Sequence, residues 1–329
     1  MSHKDSLKDK EKSLLTEYSK TYVPQYTLPV EITKKHDDVF WKETEIKLFE
    51  DLEDWKKGNI TDNEKQFITE ILKLFTQSDV AVGRNYYDCF IPVFKNNEVR
   101  NMLGSFAARE AIHQRGYALL NDTLGLGEES YNAFMDFKEM LEKNEYMLAV
   151  DNKTLKSTAL SLARQVFAEG ISLFSSFAML LNFDRFGKMK GMSDIVRWSI
   201  RDESIHIEGN SWLFSQFLTE HPKLVTKEFK KEIYESLRTV VELEDAFIDI
   251  VFKDFEIKGI DKQQVKDYIR YVADYRLQQL GLKKNYFIET DPLPWVDELV
   301  NLPAQLNFFE RDAVYSDNTF VGNWWDLKA

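Results

Sequence analysis

The stretch Leu103-Gly-Ser-Phe-Ala-Ala-Arg-Glu-Ala-Ile-His-Gln-Arg-Gly-Tyr117 sets Leu103, Phe106, Glu110, His113 and Tyr117 at steps of three and four. That spacing puts all five on one face of a helix, and a face carrying Leu, Phe and Tyr is one that becomes buried. Glu110 and His113 therefore enter a core together, one turn apart. Further along, Ile195-Val-Arg-Trp-Ser-Ile-Arg-Asp-Glu-Ser-Ile-His206 repeats the arrangement with Val196, Ile200, Glu203 and His206. Two more apolar stripes each hold a lone acid: Asp79 among Ile68, Leu72, Phe75, Val82 and Tyr86, and Glu169 among Leu162, Val166, Leu173 and Phe177. A carboxylate in such a place is costly unless something pairs with it.

The order along the chain is regular. Asp79 comes 31 residues before Glu110 of Glu110-x-x-His113, and Glu169 comes 34 residues before Glu203 of Glu203-x-x-His206. Such separations suit a long helix that turns back on an antiparallel neighbour. Four facing helices would bring four carboxylates and two imidazoles to one point, the ligand set of a di-iron or di-manganese carboxylate bundle. Oxygen and imidazole ligands suit iron or manganese, and no sulfur ligand is on offer. Taken singly, each feature has a plainer reading. A lone acid on an apolar face can be a satisfied core acid or a cap. Tyr117 can be a core aromatic with a bonded hydroxyl, and Asp202 a surface or helix-pairing acid. Beside a metal pair that activates O₂, Tyr117 is placed for one-electron oxidation to a phenoxyl radical, and Asp202 to accept the free ring N–H of a metal-bound histidine. His3, His36 and His221 have no such context and are expected at the surface.

The rest of the chain agrees with a helical protein. Of 329 residues, 43% are hydrophobic, while Gly (13) and Pro (7) are too few for a fold rich in turns and phosphate loops. A net charge of -12 argues against nucleic acid as a partner. The single cysteine, Cys89, excludes an intrachain disulfide and a Cys-based zinc or iron–sulfur site, and fits a reducing, cytoplasmic setting. No signal peptide opens the chain, and the most apolar run, Ile171 to Phe183, is short, so no membrane span is expected. Residues 1–38 are polar without sustained periodicity, predicting a mobile arm, with structure beginning near Val39-Phe40-Trp41. A capping box at Thr61-Asp62-Asn63-Glu64 opens a helix predicted to about Tyr87. Further helices are predicted over 97–120, 131–143, 153–183, 194–218, 227–252 and 261–281. Residues 39–306 form one helical domain, because no Pro/Gly/Ser-rich linker interrupts it, and 307–329 read as an extended tail.

With these residues in view, the sequence resembles the small, radical-generating β subunit of class I ribonucleotide reductase. The resemblance runs from about Phe40 to the C-terminus. Its specific blocks are Phe40-Trp41, Arg109-Glu-Ala-Ile-His-Gln-Arg-Gly-Tyr117, Phe167-Ala-Glu-Gly-Ile171, the Ile195–His206 stretch, Asp291-Pro-Leu-Pro-Trp295 and Asn307-Phe-Phe-Glu-Arg311 leading to Tyr315. It implies an all-α, ferritin-like bundle with a dinuclear metal site in its core. By the same resemblance Asp79, Glu110 and His113 bind one metal and Glu169, Glu203 and His206 the other, with Tyr117 as radical carrier. Trp41 and Asp202 match the family's relay beside the His113-bound metal, and Tyr315 matches the tyrosine that hands the radical across the subunit interface. Ser199 stands where the family usually has an aliphatic residue, and Leu173 where an aromatic often lines the radical pocket.

The implied cofactor is a dinuclear centre, two Fe first, with Mn/Mn or Mn/Fe as alternatives. The implied partner is the catalytic α subunit, docked through the C-terminal tail, where Phe320, Trp324 and Trp325 supply apolar anchors. A homodimer is the family expectation, and an activating flavoprotein is a further candidate partner. Residues 1–38 are too short for a nucleotide-binding cone, which would leave allosteric control to the partner. A ligand-binding oxidase or fatty-acyl desaturase on the same bundle is the competing enzyme reading, since fold and metals alone do not fix chemistry. Ferritin-like metal storage is a third.

Overall fold

The computed structural model describes residues 13–75 and 78–300. Eleven α-helices of eight or more residues lie among them, and the described residues contain no β-strand. Four helices surround the centre: α4 (Ser78–Asn85), α5 (Asn97–Leu124), α7 (Leu155–Gly170) and α9 (Lys190–Glu220). α4 packs on α5, α5 on α9, α9 on α7, and α7 on α4, which closes a ring. Outside it lie α1 (Thr27–Asp38), α2 (Phe49–Lys57), α3 (Asp62–Phe75), α6 (Lys138–Leu148), α8 (Phe174–Leu181), α10 (Lys227–Val251) and α11 (Lys262–Gln279).

Local chemistry sets several of these ends. The capping box read at Thr61 forms, with the Glu64 N–H on Thr61 Oγ1 at 3.2 Å and the Thr61 N–H on Glu64 Oε2 at 2.8 Å. α9 has no side-chain cap of its own. Asp51 of α2 reaches over instead and accepts the Gly191 and Met192 N–H groups at 2.8 and 2.6 Å. The α5–α9 contact is close because Gly209 has no side chain: a Cβ there would lie 2.7 Å from the Phe106 ring.

Three expectations change. Residues 13–38 are not a mobile arm: Leu15 is buried, and α1 packs on α5 and α9 through Ile32 and His36. Glu220 accepts the Ser13 and Tyr26 hydroxyls, and Glu98 accepts the Gln25 and Tyr26 N–H groups. The periodicity of α1 is only three buried positions long, Pro29, Ile32 and His36, among polar neighbours, so it does not stand out. Second, the helix predicted over 153–183 breaks after Gly170 and resumes at Phe174. Arg276 of α11 is the cause visible in space: its Nε donates to the Gly170 carbonyl at 3.0 Å, and a Cβ on Gly170 would sit 2.6 Å from that nitrogen. Third, the predicted helix over 131–143 is displaced to Lys138–Leu148, after a short helix, Glu129–Asn132, and a 3₁₀ turn, Ala133–Asp136. The run from Leu155 to Phe186 is apolar enough to cross a membrane by composition, but it is buried inside the body as core. The tail 307–329, with Tyr315, lies outside the described residues.

Candidate metal centre

Each wall of the ring contributes one part of the predicted set: Asp79 from α4, Glu110 and His113 from α5, Glu169 from α7, Glu203 and His206 from α9. All six are buried. Asp79, Glu110 and His113 bring ligand atoms within 4.8 Å of one another, and so do Glu110, Glu169, Glu203 and His206. Glu110 belongs to both groups. Its Oε2 lies 3.5 Å from His113 Nδ1 and its Oε1 3.1 Å from His206 Nδ1. Glu203 does likewise, at 3.3 Å from His113 Nδ1 and 3.4 Å from His206 Nδ1. The six side chains therefore do not divide into two separate triads, since two glutamates face both imidazoles.

The donor set fits a pair of cations. Asp79 Oδ2, both oxygens of Glu110, both of Glu203, and Nδ1 of His113 and of His206 are buried and make no hydrogen bond. Buried polar atoms are nearly always bonded, so seven orphans converging on one place point to a positively charged occupant. The electrostatics agree. Burial pushes Asp79 well above the usual carboxylate range and Glu169 up to about 8. Burial works against charge on His206, yet the adjacent Glu110 and Glu203 hold it up to about 10. Without cations, the acids can keep their charge only by drawing protons onto the imidazoles, and a metal pair removes that need.

A second layer of side chains fixes the two rings. His113 donates Nε2–H to Asp202 Oδ2 at 3.1 Å, and the same oxygen accepts Trp41 Nε1–H at 2.7 Å. Burial raises Asp202, but His113, Arg109 and Trp41 outweigh it and hold it down to about 2, so it stays an anion. Arg109 also donates to the carbonyls of Val39 and His36, at 3.1 and 2.9 Å, tying the segment that carries Trp41 to α5. His206 Nε2 faces His36 Nε2 at 3.3 Å, and His36 Nδ1 meets Ser105 Oγ at 2.6 Å. With His206 Nδ1 turned to the centre, its Nε2 carries the proton, so His36 accepts through Nε2 and donates to Ser105. His36 is thus fully buried rather than on the surface, and burial with nearby His206 and Arg109 pushes it down to about 2, which keeps it neutral. His221 is also buried, its ring edge-on to Phe217 at 4.6 Å between centroids, and is a core residue at the end of α9. His3 lies outside the described residues.

Two buried phenols flank the centre. Tyr117 donates to Ser199 Oγ at 3.2 Å, so the serine at the unusual position meets the phenol itself. Leu173 is buried as well. Tyr86 donates to Glu169 Oε1, a contact that sequence reading missed because Tyr86 looked like ordinary core. Gln165 and Asn210 also bind Glu169, at 3.0 and 2.8 Å. Their only sequence cue is position: Gln165 lies one turn before Glu169, and Asn210 two turns after Glu203.

Against known proteins, residues 20–292 match the family described as ribonucleotide reductase, small chain. A probable ribonucleoside-diphosphate reductase small subunit of Invertebrate iridescent virus 6 is 35% identical, over 94% of this chain and 97% of its own. The ribonucleoside-diphosphate reductase subunit beta of Chlamydia pneumoniae is 30% identical over 82% of each chain. Among solved structures, a putative class I ribonucleotide reductase from Bacillus halodurans superposes with a TM-score of 0.78 at 24% identity, covering 83% of this chain and all of that one. A dimanganese(II)-NrdF from Streptococcus sanguinis gives a TM-score of 0.74 at 21% identity, over 86% and 99%.

Proposed function

The chain belongs to the ribonucleotide reductase small-chain family, the radical-generating subunit of a two-subunit reductase, and from that membership we propose how its own residues divide the work. Asp79, Glu110, His113, Glu169, Glu203 and His206 would hold two metal ions, and Glu110 and Glu203 each face both imidazoles. The observation that carries this is the convergence of seven buried, unbonded ligand atoms inside the helical ring. When bound, the metals supply the oxygen activation by which a neighbouring phenol is oxidised. Tyr117 is that phenol, held dry on α5 with its hydroxyl on Ser199.

Trp41, Asp202 and His113 form one hydrogen-bonded chain leading away from the centre, and an oxidase acting on its own substrate has no use for such a path. This supports the relay reading over the oxidase one. Asp202 keeps the proton of His113 on Nε2 and the indole N–H of Trp41 in fixed positions, and Arg109 holds that carboxylate in place. Tyr315 continues the relay, and the tail 307–329 docks on the catalytic subunit. The protein acts as a homodimer in the cytoplasm. Iron is the first metal to load. The dimanganese relative keeps Mn/Mn and Mn/Fe as alternatives, with a flavoprotein as activator of manganese.

The test is electron paramagnetic resonance on protein loaded anaerobically with Fe(II) or Mn(II) and then exposed to O₂. A tyrosyl signal should accompany about two metals per chain, and Tyr117→Phe should remove its hyperfine pattern. A wild-type chain that loads and oxidises its metals without any tyrosyl signal would sink the assignment.

A further inference from the structure

Tyr86 is another buried phenol at the centre, and its hydroxyl is bonded directly to a carboxylate assigned as a metal ligand. Asn210 Nδ2 spans the pair, donating to Tyr86 Oη at 2.7 Å and to Glu169 Oε2 at 2.8 Å. Gln165 Nε2 donates to Glu169 Oε1 at 3.0 Å, and Asn85 fixes the Gln165 amide by donating to its oxygen at 3.0 Å. The Tyr86 ring is fully buried against His206, Phe106 and Phe90, with centroids 6.2, 5.8 and 6.1 Å away. Its backbone opens a π-helical turn, Tyr86–Phe90, a rare wide turn that is frequent at functional sites.

A phenol in a dry pocket cannot be left as a radical cation, so it gives up an electron only where a base takes its proton at once. Tyr86 has that base in contact, and it has a donor, Asn210, to stabilise the oxygen afterwards. Resting on the radical-generating role above, we propose that Tyr86 is a second redox-active tyrosine of this centre. One electron passes from the ring to the oxidised metal pair, which is reduced by one electron. The phenolic O–H bond breaks and its proton moves to Glu169 Oε1, leaving a neutral phenoxyl that keeps the Asn210 hydrogen bond.

The experiment compares wild type, Tyr117→Phe, Tyr86→Phe and the double variant, each loaded with Fe(II) without oxygen, exposed to O₂ and freeze-quenched for electron paramagnetic resonance, with metal content measured alongside. Ring-deuterated tyrosine identifies any signal as tyrosyl. Tyr117→Phe should keep a tyrosyl signal with altered hyperfine splitting, and the double variant should lose it at unchanged metal content. If Tyr117→Phe loads its metals and shows no tyrosyl signal while wild type does, the inference falls and the role of Tyr117 stands. A residual signal equal in the double variant also overturns it. A wild-type signal lost in Tyr86→Phe but kept in Tyr117→Phe would uphold the inference and overturn the assignment to Tyr117. No tyrosyl signal in any of the four removes both. Should the double variant fail to load metal, the exchangeable-proton coupling of the Tyr117→Phe radical decides. It is expected with Asn210 present and lost in Asn210→Leu, and a coupling that survives Asn210→Leu refutes Tyr86 as the site.

Discussion

Glu110 and His36 show how much of the centre rests on single side chains. Glu110 turns one oxygen to each imidazole, so its loss should empty more than half of the site. Glu110→Ala is expected to take metal content from about two per chain to well below one, measured by mass spectrometry of metals on folded protein. Firm retention of one ion would mean that Glu110 serves a single position. His36 accepts the ring proton of His206, a task done for His113 by the anion Asp202. The two histidines that face the centre are therefore backed unequally, one by a carboxylate and one by a neutral imidazole. His36→Ala should weaken metal affinity by about 10- to 100-fold, chiefly at the His206 position, and His36→Gln, which keeps an acceptor, should recover most of it. Anaerobic Fe(II) titration reads this directly, and equal losses in the two variants would refute the hydrogen-bond argument.

The helices matter as elements because their breaks aim the ligands. α7 delivers Glu169 one residue before it ends at Gly170, and α8 resumes at Phe174 only after an irregular turn. Arg276, nearly buried between Gly170 and the Phe174 ring, occupies the place where a side chain on residue 170 would go. Gly170→Ala forces the guanidinium aside in a packed interior and should cost roughly 1–3 kcal/mol of stability, read from the urea midpoint, with weaker metal uptake at the Glu169 position. An unchanged midpoint would show that Arg276 can swing clear. The apolar stripe that made residues 153–183 look like one helix is intact in both pieces. Periodicity reports burial, and both sides of the break are buried, so the stripe carries no mark of the interruption.

At the scale of the whole molecule, the N-terminal segment from residue 13 to residue 38 packs over the helical ring. α1 brings His36 to His206, and the segment after it brings Trp41 to Asp202, so this side of the centre is assembled from parts far apart in sequence. Deleting residues 316–329 is expected to abolish binding to the catalytic subunit while metal content and the tyrosyl signal stay at wild-type levels. A pull-down with that subunit checks it, and intact binding would place docking elsewhere. The sequence by itself determined the helical class and the six acids and imidazoles that the core brings together. Acids and imidazoles set in apolar stripes at helical spacing have no stable use without a shared partner, and that pattern is local. Only the tertiary structure decided that Glu110 and Glu203 span both imidazoles, that His36 backs His206, that Tyr86 bonds Glu169, and that Arg276 ends α7. The contacts of Tyr86, Arg276 and His36 join residues 83 to 170 positions apart. No periodicity encodes them, because they depend on how the helices face one another once packed.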